Sequence, residues 1–149
     1  KVIPKVDGEF AEKIAVIGGG HVGLEVAHFL CANNKVTIVE MADEIGASVY
    51  YITKFKLLPL LREAGVTFRT GQAIAAVDDG SIRLRDTHTG QCTELKAEAV
   101  VLAMGSRPDL AARAAFDRNF DHVVYAGDAV RGGTMLEANR DAFALAWEF

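Results

Sequence analysis

Lys13-Ile14-Ala15-Val16-Ile17-Gly18-Gly19-Gly20-His21-Val22-Gly23 joins a short, nearly continuous apolar run to a cluster of glycines. A strand buried on both faces, as in a parallel sheet, has this unbroken apolar composition. Beyond the glycines, Val22, Val26, Phe29 and Leu30 recur at helical spacing, and Asn33-Asn34 stop that helix. Lys35-Val36-Thr37-Ile38-Val39-Glu40 is rich in β-branched residues and ends in an acid, which predicts a second strand. Strand, tight turn, helix and strand in this order make a βαβ unit.

Outward from this unit, a helix is expected over roughly 49–64, with Phe55, Leu57, Leu58 and Leu61 as its apolar stripe. Pro59 predicts a kink or a break in it, and Gly65 caps its end. Val66-Thr67-Phe68-Arg69 predicts a third strand. Residues 73–77, 81–85 and 91–95 are short strand-like runs separated by Asp-Gly and Thr-Gly turns, the pattern of an antiparallel meander. Residues 99–103 return as a buried strand, stopped by Met104-Gly105-Ser106-Arg107-Pro108. A short polar segment follows, then a last strand over 123–126 ending at Gly127-Asp128, then a helix over 134–147. Residues 1–13, with Pro4 and Gly8, read as an extended lead-in. The fold class expected is α/β: a Rossmann-like parallel sheet with helices on both faces plus a small antiparallel β-meander.

G-x-G-x-x-G spacing alone is common in turns; the context here is what points to a dinucleotide. A buried strand precedes it, a helix follows, and Glu40 ends the next strand about twenty residues on. Gly18 allows the tight turn, Gly20 keeps side-chain atoms away from a pyrophosphate, and Gly23 lets the helix lie close on the sheet. Backbone N–H groups of the turn, Gly19 included, and the positive end of the helix suit two phosphate charges. Glu40 stands where its carboxylate can accept hydrogen bonds from both adenosine ribose hydroxyls. A 2′-phosphate there would meet a negative charge, and Met41-Ala42 follow instead of basic residues, so NADH is expected over NADPH. His21 and Val22, between the glycines, fall at the mouth of the phosphate site. Nothing nearby in sequence orients His21 as an acid or base, so no catalytic residue is assigned. His28, His88 and His122 make no metal-ligand spacing, and no metal site is expected.

The 149 residues fit one ordinary domain, and half are apolar, enough for a core. The net charge of −4 comes from interspersed acids and bases without a basic block, so no nucleic-acid partner is expected. No apolar run approaches a membrane span and nothing at the start resembles a signal peptide. Cys31 and Cys92 lie far apart, form no CxxC pair, and are expected to be buried small hydrophobes of a protein in the reducing cytoplasm. The chain opens on Lys1 and closes on Trp147-Glu148-Phe149, which leads us to expect a fragment of a larger chain.

The stretch from Gly18-Gly19-Gly20-His21-Val22-Gly23 through Leu24-Glu25 resembles the NAD(P)H-domain fingerprint of flavoproteins with two dinucleotide-binding domains. With Val39-Glu40-Met41-Ala42-Asp43-Glu44-Ile45-Gly46, Val101-Leu102-Ala103-Met104-Gly105-Ser106-Arg107-Pro108, Val124-Tyr125-Ala126-Gly127-Asp128-Ala129-Val130 and Leu136-Glu137-Ala138, nearly the whole chain resembles one group. That group is the C-terminal part of the NADH:flavin oxidoreductases with an Old-Yellow-Enzyme-like barrel, which include 2,4-dienoyl-CoA reductases, trimethylamine dehydrogenase and histamine dehydrogenase.

The resemblance implies that residues 1–9 lead in from an FAD-type domain, 10–107 form an inserted NAD(H)-binding domain, and 108–149 are the returning, incomplete end of the FAD-type domain. It implies an oxidoreductase that passes hydride from NADH to FAD, with FMN in a barrel domain and a 4Fe-4S cluster in parts of the parent chain outside these residues. The chain alone is not expected to turn over. By the same resemblance Asp128, after Gly127, receives a ribityl hydroxyl of FAD, and the helix start near Thr134 to Glu137 faces the flavin or its pyrophosphate. Without the resemblance, Gly127-Asp128 reads as a turn with Asp128 as a helix cap. Gly105 allows close backbone approach, and Arg107 touches a cofactor phosphate or pairs with an acid. Some relatives hold ADP in place of FAD, so an alternative is a vestigial or structural ADP-binding module of an amine-dehydrogenase-like flavoprotein. A disulfide-type reductase fragment is a third reading, unsupported by any redox CxxC in these residues.

Overall fold

A computed structural model describes residues 12–148, so the expected lead-in over 1–9 lies outside the described residues. Two compact units follow one another along the chain, the first reaching Met104 and the second starting at Gly105. The first unit holds β1 (Lys13–Ile17), α1 (His21–Leu30), β2 (Lys35–Val39), α2 (Tyr51–Glu63), β3 (Thr67–Arg69), β4 (Gln72–Asp78), β5 (Ser81–Asp86), β6 (Cys92–Lys96) and β7 (Ala99–Leu102). The second holds α3 (Leu110–Asn119), a single 3-10 turn at Gly127–Ala129, and α4 (Met135–Ala146).

Strands β3, β2, β1 and β7 form one parallel sheet in that order. The first strand is central and is paired on both sides, Ile14 with Val36 and Ala99, Val16 with Ile38 and Val101. Alternation along a strand sends neighbours to opposite faces, so an unbroken apolar run serves two cores at once. Ile14, Val16, Val36 and Ile38 meet Leu24 and Ala27 of α1, Leu61 of α2, and Ile45, Val49 and Val66. Ala15, Ile17 and Val39 meet Ile82 and Leu84 of β5, with Ala97 beside them. The architecture is the Rossmann-like α/β one, and the antiparallel meander β4-β5-β6 supplies the layer on the second face that the sequence reading gave to helices.

In α1 the buried face is Gly23, Leu24 and Ala27, whereas Val22 and Phe29, expected in the stripe, are 61% and 80% exposed. The reason lies at Gly23, which must face the sheet. Rotating that position inward carries its i+1 and i+4 neighbours in and the residues at i−1 and i+6 out. In α2, Leu61 is fully buried with Leu57 and Leu58 packed beside it, but Phe55 is exposed and stacks on Tyr51 with ring centroids 6.0 Å apart. The expected break at Pro59 does not occur; the helix runs on to Glu63. Proline removes its own N–H bond and crowds the carbonyl of Phe55 one turn back, and here both residues lie on an exposed side of the helix.

The second unit departs most from expectation. The segment read as short and polar is α3, N-capped by Asp109, whose Oδ1 accepts from Ala111 N and Ala112 N at 3.0 Å each. The strand expected over 123–126 is not formed. Its composition favours extended backbone, but a strand needs a ladder partner, and no strand exists among the described residues of this unit. Nor is any described residue of this unit buried. No helix among the described residues is long and apolar enough to cross a membrane.

Candidate dinucleotide site

The glycine turn is built by contacts that leave no room for side chains. Gly18 has φ +109°, and a Cβ there would stand 2.3 Å from the carbonyl oxygen of Ala103, just beyond β7. A Cβ at Gly23 would stand 1.8 Å from the carbonyl oxygen of Gly18, so helix and turn touch through bare backbone. Gly20 differs, because a Cβ there would meet no atom within 4 Å. Gly20 is also the N-cap, without a side chain to cap with, and no acid occupies the first turn. The N–H groups of His21, Val22 and Gly23 therefore have no intrahelical acceptor, and a half-positive helix end meets open space.

Glu40 stands immediately after β2. Its Oε2 accepts from Gly19 N at 2.6 Å and its Oε1 from Ala42 N at 2.9 Å, so one carboxylate ties the glycine turn to the loop that follows β2. Gly46 N donates to Gly19 O at 2.9 Å from the far end of that loop. A carboxylate offers about four lone-pair positions, and two are taken by these bonds. The rest can accept two hydroxyl protons. Met41 is exposed at the rim.

His21 does have an orienting partner, which the sequence reading did not assign. Its Nε2 lies 3.0 Å from Oε1 of Glu25, one helical turn on, and both side chains are exposed. The i,i+4 spacing on a helix was a readable signal for it. The structure thus brings Gly18, Gly19, Gly20, His21, Val22, Gly23, Glu40 and Met41 together at the C-terminal ends of β1 and β2. That is where doubly wound sheets present ligand sites.

The other expected site residues, Gly105, Arg107, Gly127 and Asp128, fall in the second unit. Asp128 accepts from Ser106 Oγ at 3.1 Å and from Gly133 N at 3.3 Å. It is not the cap of α4. Thr134 takes that role, accepting from Leu136 N at 3.3 Å, while Glu137 accepts from Thr134 N at 2.8 Å. The Thr134 hydroxyl beside it holds the Glu137 carboxyl below its usual range. Gly127 N donates to Asp141 at 3.3 Å, and residues 126–128, 133–135 and Ala138 line an open depression of about 450 Å³. Gly105 has φ +76°, and a Cβ there would meet no atom of the chain within 4 Å, so toward the chain itself its glycine answers backbone conformation. Close approach occurs instead at Gly132, where a Cβ would stand 2.5 Å from the Ser106 carbonyl oxygen. Arg107 is exposed and pairs with no acid among the described residues.

Among the described residues no group of three or more His, Cys, Asp and Glu is placed to hold a metal ion. Both cysteines are free thiols, and Cys92, expected to be buried, is exposed at the start of β6.

Comparison with known proteins bears on these features together. Residues 3–124 match the family model described as pyridine nucleotide-disulphide oxidoreductase. An NADH oxidase of Thermoanaerobacter brockii is 32% identical over 147 residues, which is 97% of this chain and 22% of that protein. Among solved structures, histamine dehydrogenase from Rhizobium sp. 4-9 superposes with a TM-score of 0.69 at 19% identity, over 93% of this chain and 23% of that one. A 6-hydroxypseudooxynicotine amine oxidase from Pseudomonas geniculata N1 gives 0.65 at 26% identity, over 87% and 21%. The chain spans about a quarter or less of the length of these relatives. With a family model that matches residues 3–124, most of its length, the chain belongs to the pyridine nucleotide-disulphide oxidoreductase family.

Proposed function

We propose that this chain is the NADH-binding portion of a flavin-dependent oxidoreductase. The observation that carries the reading is the 2.6 Å hydrogen bond from Gly19 N to Glu40, which sets the acid at the end of β2 directly against the glycine turn. The residues fit a dinucleotide on two counts: the space before Gly20 is open, and Glu40 keeps acceptor capacity beyond its two backbone donors. NADH, when bound, supplies the hydride. The chain's own part is to hold and orient. Backbone N–H groups from His21 to Gly23 and the helix dipole take the pyrophosphate. Glu40 takes the adenosine ribose hydroxyls. His21 and Val22 stand at the mouth of the phosphate site, with His21 held by Glu25.

The second unit is read as the returning end of an FAD-type domain, with the domain boundary near residue 107. Asp128, fixed by Ser106 and Gly133, is the group offered to a flavin ribityl hydroxyl. FAD's own pyrophosphate needs another glycine turn at a helix start, and the sequence holds one such fingerprint, at Gly18 to Gly23. The rest of the FAD site, and in the finer reading an FMN barrel and a 4Fe-4S segment, belong to other parts of a parent chain. The motif order supports this placement beside the Old-Yellow-Enzyme-like group, and Phe143 and Trp147, 66% and 78% exposed and paired edge-to-face at 5.9 Å, are the kind of surface a further domain covers.

Cofactor choice tests the reading. NADPH would set its 2′-phosphate against the Glu40 carboxylate and lose a hydroxyl donor to it. One charge-assisted hydrogen bond is worth roughly 1.5–3 kcal/mol, so NADH is expected to bind about tenfold to a hundredfold more tightly than NADPH. Competition of both against a fluorescent nucleotide measures the ratio. Equal affinity would remove Glu40 from the site, and failure of both to bind favours the alternative of a vestigial, structural module.

A further inference from the structure

The turn between β5 and β6 lies against the loop that follows Glu40. Thr87 N donates to Gly71 O at 2.8 Å and Thr87 Oγ1 to the same carbonyl at 3.0 Å. Gly71 N donates in turn to Ala42 O at 2.9 Å, and Gln72 N to Glu40 O at 3.0 Å. His88 completes the contact, with Nε2 at 2.6 Å from Oδ1 of Asp43. The hairpin is itself pinned by Asp86, whose Oδ1 accepts from His88 N, Thr89 N and Thr89 Oγ1 at 3.0, 2.7 and 3.0 Å. Two segments distant in sequence, 71–72 and 86–89, thus converge on residues 40–43, the stretch that presents the Glu40 carboxylate and the exposed Met41. Three of these bonds are between backbone groups and indifferent to pH. The His88–Asp43 contact is the one that titrates near neutrality.

We propose that His88 is a positioning residue for the adenosine-ribose end of the dinucleotide site: paired with Asp43 it holds the 41–43 loop in the shape that presents Glu40, and loss of its proton loosens that loop and weakens NADH binding. The inference rests on the reading of Glu40 and the glycine turn as the NADH site. The charged groups facing the imidazole are Asp43 from the β2–α2 loop and Asp86 from its own hairpin; both favour the protonated form. The hydrogen bond to Asp43, then the charge of Asp43, raise the His88 pKa above its ordinary 6.5, against a smaller opposing effect of burial. The ion pair is therefore complete below about pH 6.5 and gives way to a weaker, uncharged hydrogen bond as pH rises through the raised value. Deprotonation also leaves the Asp43 charge uncompensated three residues from Glu40, which disfavours an anionic ligand. Both side chains are largely exposed, 65% and 75%, so salt screens the pair and the effect is a few-fold one.

The test titrates NADH into the full chain from pH 6 to 9 at low salt, with His88→Gln and Asp43→Asn alongside. The parent's Kd is expected to rise about threefold across this range, and by reciprocity NADH should raise the His88 pKa by about half a pH unit, read from the imidazole proton shifts of the parent itself. H88Q keeps a hydrogen-bond donor but not the proton, so its profile should lack that rise, and D43N should match it. The same profile in parent and variants, with an unmoved His88 pKa, overturns the positioning role and leaves the NADH reading standing. No NADH binding by the parent at any pH overturns both.

Discussion

Replacing Gly23 by alanine should destabilise the first unit by about 3 kcal/mol or more and abolish nucleotide binding with it. The new methyl would fall 1.8 Å from the Gly18 carbonyl oxygen and 3.0 Å from its carbon. Neither is the end of a flexible side chain. Gly18 is fixed by its N–H to Val39 O at 2.8 Å and by the Ala103 carbonyl on its other side. The overlap can be relieved only by lifting α1 off the sheet, and α1 contributes Leu24 and Ala27, both fully buried, to the larger core. Urea unfolding of parent and G23A measures the difference. A change below about 1 kcal/mol would mean that helix and strand do not meet through backbone at this point.

Gly20→Val should do the reverse: leave stability within about 1 kcal/mol of the parent and lower NADH affinity at least about a hundredfold. The backbone at Gly20, φ −76° and ψ −168°, is extended and open to any residue. A Cβ meets nothing within 4 Å, so folding loses little beyond the slightly poorer cap. The same emptiness is where a pyrophosphate would approach the N–H groups of the first turn. Two lost charge-assisted hydrogen bonds, at roughly 1.5 kcal/mol each, already amount to that hundredfold. Calorimetric titration of G20V with NADH checks it, and binding equal to the parent would reduce the fingerprint to a structural turn. The contrast between neighbours three residues apart is itself informative: one glycine is needed by the fold and the other by the proposed ligand.

The first unit was legible in the sequence because its signals are local. An unbroken apolar run, a glycine cluster, a β-branched run ending in Glu40 and a meander punctuated by Asp-Gly and Thr-Gly each decide their own element. What failed was the rotation of a helix about its axis. Val22 and Phe29 are as apolar as Leu24, and only the demand that Gly23 face the sheet decides which side is buried. The helix α3 carried a signal that was passed over, Asp109 before an alanine-rich run. Residues 123–126 have strand composition, but whether extended backbone becomes a strand depends on a partner outside the segment. The Asp43–His88 pair, 45 residues apart, follows from the register of the meander against the loop after β2, which no local pattern encodes.

The claim that the glycine turn and Glu40 form one nucleotide site is tested most directly by mapping NADH onto the amide resonances of the chain. The account predicts that the largest shifts fall on residues 18–23 and on Glu40, Met41 and Ala42. Gly19 should respond strongly, because its N–H is shared with the carboxylate that would receive the ribose. Shifts confined to the opposite, N-terminal ends of β1 and β2, around Lys13 and Lys35, or no shifts at saturating NADH, would contradict it.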